Sequence, residues 1–129
     1  MKRHVGLLGT LFILWGALAL LVSLALVTLG LGVAALAVGS QADQPGVRIT
    51  AGFALSVFGA LAALGIVGGA VHLWVAVGLS RAREWARIIG IIVSIVDVFV
   101  PPIGTALGVY AIWVLANRET RALFEVPPA

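Results

Sequence analysis

Two ionisable side chains stand inside otherwise apolar runs, His72 and Asp97, and any chemistry is sought there first. A charge in hydrocarbon is expensive, so a residue kept there is a functional suspect whose partner must be named. Measured along α-helices at ~1.5 Å per residue, His72 lies about 13 Å before Arg81 and Asp97 about 15 Å beyond Arg87, so the two sit at similar depths. Presented to each other, they make a hydrogen-bonded proton-transfer pair or a counterion for a cationic substrate. The plainer expectation is that His72 bonds a carbonyl, while Asp97 reaches water or caps backbone groups freed by the adjacent prolines. A third reading makes His72 the axial ligand of a haem or chlorophyll. The small residues Gly68-Gly69-Ala70 before it would let a flat macrocycle approach.

Nothing else in the chain assembles into a reactive constellation. Cysteine is absent, which excludes disulfides, thiolate nucleophiles and thiol-held metals. No metal-ligand cluster, nucleophile with base, or paired carboxylates can be put together, so no catalytic or metal residues are expected and the chain is read as a non-enzyme. Gly104-Thr105-Ala106-Leu107-Gly108 has the glycines of a phosphate loop but neither its GK[ST] ending nor a preceding strand. It reads instead as a GxxxG for close helix packing.

The elements that must position His72 and Asp97 follow from composition. Of 129 residues, 62% are hydrophobic and 10% charged, against about 25% charged in soluble proteins. A chain this short has too little interior to hide that much apolar surface from water, so its solvent is lipid. The expectation is an all-α integral membrane four-helix bundle in a single domain, 1–129. Its helices are placed at about 5–39, 48–80, 85–100 and 103–117, with a mixed tail over 118–129. The breaks are the polar segment 40–46, the basic segment 80–87 and the Pro101-Pro102 pair.

Lys2, Arg3, Arg81, Arg83, Arg87, Arg118 and Arg121 fall on one side of that arrangement and only Arg48 on the other. Both termini are therefore expected to be cytoplasmic, and the net charge of +3 reads as membrane orientation rather than nucleic-acid binding. Arg81, Arg83, Trp85, Arg87 and Trp113 suit anchors at the membrane interface. The first apolar run is far longer than the 7–15 residues of a signal peptide core and is read as an uncleaved anchor.

Lengths carry the next step. The first run, 5–39, would reach roughly 52 Å as a helix, and the second, 49–79, has a similar surplus over hydrocarbon ~30 Å thick. The first helix must either break near Gly30 and Gly32 or project. Small residues at Gly9, Gly16, Ser23, Gly30 and Ala37 recur every seventh position, one narrow stripe of a continuous helix. That register argues against folding each long run into two spans. In the second run Gly52, Ser56, Gly59 and Ala63, followed by Gly65 and Gly69, are expected to pack against this stripe. The surplus, approximately 28–56, is apolar, and wet apolar surface costs about 25 cal/mol per Å². Either the hairpin buries it internally, a thicker bilayer covers it, or a partner protein or second copy docks there.

The segments Gly78-Leu79, Trp85-Ala86-Arg87-Ile88, Pro102-Ile103-Gly104-Thr105-Ala106-Leu107-Gly108-Val109-Tyr110, Trp113-Val114-Leu115 and Glu119-Thr120-Arg121 are similar to a family of small, uncharacterised bacterial four-helix membrane proteins. The resemblance covers roughly the C-terminal half. It implies a bacterial inner membrane but assigns no reaction, ligand or partner. In physical terms Tyr110 can bond across helices, and Leu123 and Phe124 can dip the tail into lipid.

The function expected is that of a non-catalytic membrane accessory or scaffold protein, bound by lipid and associating with itself or with other membrane subunits. The alternatives are a small transporter or proton-linked carrier using Asp97 and His72, and tetrapyrrole binding at His72. Four-helix drug exporters place a carboxylate in their first helix. This first run has none.

Overall fold

A computed structural model of the chain describes residues 2–41, 43–100 and 102–125. Pro101, the first half of the Pro-Pro pair, and the chain end from Val126 lie outside the described residues. All regular structure within them is helical: α1 (Lys2–Gln41), α2 (Pro45–Ser80), α3 (Glu84–Val98), α4 (Ile103–Ala116) and α5 (Arg118–Glu125). α1 and α2 are long and apolar enough to cross a membrane, and α4 is a shorter apolar helix.

α1 runs unbroken through Gly30 and Gly32, and neither long helix folds back on itself. At 40 and 36 residues they rise about 60 and 54 Å, against roughly 22 and 21 Å for α3 and α4. Their hydroxyls are satisfied locally. Thr10, Ser23, Thr28, Thr50 and Ser56 each donate to the carbonyl four residues back, at 2.7–3.1 Å. This lets a polar side chain live on an apolar helix without a partner helix. α2 begins three residues before the expected 48 because Pro45 has no N–H to lose and its fixed φ suits a first helical position.

The chain divides into two compact units, Met1–Gly16 with Val71–Ala129, and Ala17–Ala70. In the first, the start of α1 and the end of α2 share a core with α3, α4 and α5. Leu8, Phe12, Val75, Leu79, Ala111, Val114 and Leu115 are buried there. α3 and α4 lie against each other because α4 offers glycines to the α3 backbone. A Cβ at Gly104 would stand 2.7 Å from the Asp97 carbonyl oxygen, and one at Gly108 2.5 Å from that of Ser94. The short link between them is tied by Val100 N–H to Asp97 O at 2.8 Å and by the Thr105 hydroxyl to Val98 O at 2.7 Å.

α2 ends in a Schellman motif: Arg83 N–H donates to Gly78 O and Ala82 N–H to Leu79 O, both at 3.0 Å. Ala82 takes the left-handed conformation there, φ 50°. In the tail, Arg118–Glu125 form a helix. Asn117 is extended, and its side-chain oxygen accepts the Glu119 N–H at 3.0 Å, an N-cap. Phe124 is buried in this unit's core, with Leu123 packed beside it, so these two close the core instead of dipping outward.

The second unit is a pair of antiparallel helical segments. Ser23 packs on Gly65, where a Cβ would collide with its Oγ, and Gly30 receives Phe58, whose Cβ is 3.1 Å from where a Gly30 Cβ would be. Within this unit the shielded residues of α2 are Val47, Ala51, Ala54, Phe58, Ala62, Gly65 and Gly69, at steps of three and four, with Gly68 beside the last. Gly52, Ser56, Gly59 and Ala63 are exposed, and a Cβ at Gly52 or Gly59 would touch nothing within 4 Å. The expected use of these residues as the packing stripe is therefore corrected. Alanines on the next face do the same work while Phe58 fills the space left by Gly30.

Candidate functional site

His72 and Asp97 meet. The His72 Nε2 lies 2.8 Å from the Asp97 Oδ2, and the two residues are 6% and 4% exposed. α2 supplies the histidine on its buried face, and α3 supplies the aspartate in its last turn, where the neighbouring Gly104 brings α4 against the Asp97 backbone. Phe12 of α1 closes another side, its ring edge-to-face with the imidazole at 5.3 Å. The chemistry of this arrangement is that of one bridging proton. Imidazolium with carboxylate, or imidazole with carboxylic acid, is without net charge, whereas neutral imidazole donating Nε2–H to the carboxylate carries one negative charge.

Among the described residues the other buried polar side chains of this unit are Ser94 and Thr120. The Ser94 hydroxyl, one helical turn from Asp97, is spent on Gly90 O at 2.6 Å. Among the described residues no three His, Cys, Asp or Glu side chains group as metal ligands. The nitrogen that would ligate a tetrapyrrole iron or magnesium, Nε2, faces the Asp97 carboxylate.

The remaining expected residues fall as follows. On α1, Gly9, Gly16, Ser23 and Gly30 are buried and Ala37 is half-buried. On α4, Gly104 and Gly108 are buried against α3. Trp85 is half-buried and stacks on Trp74 with centroids 4.5 Å apart. Its indole passes over Gly78, where a Cβ would come within 2.8 Å of the ring. Arg81 and Arg83 are exposed, whereas Arg87 is half-buried with its Nε enclosed and without a hydrogen-bond partner. Trp113 is exposed and joins His4 and Tyr110 in an aromatic cluster, in which Tyr110 Oη lies 3.1 Å from His4 Nδ1. Nothing in the sequence marks Phe12 as part of the site. A leucine-rich run gives no local signal for which residue covers an imidazole on another helix.

Searches against protein-family models, curated proteins and solved structures find no match for this chain.

Proposed function

We propose that the chain is a non-catalytic accessory or scaffold protein of the bacterial inner membrane, a four-span helical bundle with cytoplasmic termini. It associates with itself or with other membrane subunits through the outer part of α1 and α2. One observation carries this reading. Leu29, Leu31, Val33, Leu36, Val38, Ile49, Phe53 and Leu55 are all exposed, Leu36, Ile49 and Phe53 to more than 70%. The helix pair that bears these side chains leaves them exposed, which supports a covering from outside the pair. Both helices also exceed a hydrocarbon core of ~30 Å by more than tilt absorbs.

A photo-crosslinking side chain at Leu36 or Phe53, activated in native membranes, is expected to yield protein adducts, with few or none from the same probe at Ile92. Lipid adducts alone at every position would contradict the assembly role.

The His72–Asp97 pair favours a second reading, a proton-linked carrier. Substrate-dependent flux in vesicles that disappears with Asp97→Asn would support it. The enclosure of the pair and the engaged Ser94 hydroxyl favour a structural clasp.

A further inference from the structure

A cleft of about 260 Å³ opens in the first unit where the beginning of α1, the end of α2 and α5 come together. Its walls include Lys2 and Gly6 of α1, Leu79 and Ala82 at the close of α2, and Leu123 and Phe124 of α5. The volume is below the ~300–1,000 Å³ of pockets that enclose a whole small molecule. The cleft therefore suits part of an elongated apolar one. Ser80 also lines it, but its hydroxyl is donated to Val77 O at 2.8 Å and is not left to recruit a polar ligand.

The chain around the cleft is cationic. Lys2 is followed by Arg3, and Ala82 is flanked by Arg81 and Arg83, all exposed. The acid next to Phe124, Glu125, is occupied: its carboxylate accepts from Arg121 Nε at 2.5 Å, a bond that raises the proton affinity of that guanidinium. The other acids near these segments in sequence are Glu84, at the first turn of α3, and Glu119, at the first turn of α5, against Lys2, Arg3, Arg81 and Arg83. An apolar slot with a lysine in its wall and three exposed arginines next in sequence to its lining residues suits a ligand with a greasy body and an anionic head.

We propose that this cleft is a binding site for an anionic phospholipid, with an acyl segment against Leu79, Leu123 and Phe124 and the headgroup phosphate at Lys2, Arg81 and Arg83. The inference rests on the membrane reading, since only a bilayer supplies the ligand. Each basic residue near a membrane surface adds attraction equivalent to about a fivefold change in affinity. Gly6 provides an independent handle on the apolar half. A Cβ there meets nothing within 4 Å, so Gly6→Leu fills the slot while improving helix propensity.

The test uses the full chain with dioleoylphosphatidylglycerol and dioleoylphosphatidylcholine, with retained lipid counted by native mass spectrometry. The expected result is preferential retention of one phosphatidylglycerol. That retention weakens about fivefold for each of Lys2→Gln, Arg81→Gln and Arg83→Gln, and falls in Gly6→Leu with all charges in place. Equal retention of both lipids, indifference to the charge variants, or displacement by inorganic phosphate alone would overturn the lipid site. Flotation with pure phosphatidylcholine vesicles separates the two levels of inference. A chain that floats there but shows no lipid preference keeps the membrane reading and loses this site, whereas one that floats with neither lipid loses both.

Discussion

The two units of the chain use the same residue alphabet to opposite ends. In the first, five helical segments enclose Leu8, Phe12, Val75 and Leu115, and a polar pair is sealed inside by an aromatic ring. In the second, two segments touch along one narrow seam, Ser23 on Gly65 and Phe58 on Gly30, and their leucines, valines and Ile49 point outward. Hydrophobicity alone does not separate the two; the number of neighbours available to each helix does. A seam of small residues brings two helices together without consuming their large side chains. Those side chains remain for lipid or for other proteins.

The largest effect that sharpens this contrast is expected at the sealed pair. Asp97→Ala takes the carboxylate away from the buried His72 imidazole. It should destabilise the first unit by more than the ~1–2 kcal/mol of an interhelical hydrogen bond in lipid and up to the ~3–5 kcal/mol of a severed buried ion pair. The double variant His72→Leu/Asp97→Leu, which removes both polar ends, should recover much of that loss. Denaturation in detergent measures both, and a double variant as damaged as the single one would mean the pair does more than hold helices.

Glycine replacements come next, because they ask the same question of both units. Gly108→Ala drives a Cβ onto the Ser94 carbonyl and should cost about 1–3 kcal/mol as α3 and α4 separate. Gly59→Ala in the second unit meets open space and should be neutral or stabilising by up to about 1 kcal/mol. Equal responses in thermal unfolding would break the contrast. Smaller still are the terminal devices of the first unit. Asn117→Ala removes the α5 cap and should cost about 1 kcal/mol. Ala82→Gly relieves a left-handed non-glycine residue and should stabilise by up to about 1 kcal/mol.

The sequence makes some of this legible and hides the rest for identifiable reasons. The stripe of α1 can be read because a sevenfold recurrence of Gly9, Gly16, Ser23 and Gly30 has one geometric meaning on a helix. The matching face of α2 cannot, because small residues occupy adjacent faces and only Phe58 opposite Gly30 selects between them. The common depth of His72 and Asp97 follows from their distances to Arg81 and Arg87. Their actual bond depends on how α2 turns through Ala82 into α3, which no residue spacing encodes. The α5 helix is announced by Asn117 followed by Glu119, a capping signal easily overlooked in a polar tail.

Whether the exposed side chains of the second unit are an assembly surface is decided most directly by native mass spectrometry of the full chain isolated from cells in several mild detergents. The account predicts further copies or other subunits bound to it, and their loss when Leu36 and Phe53 are both made polar. A lone chain in every detergent, unchanged by that double substitution, would contradict it.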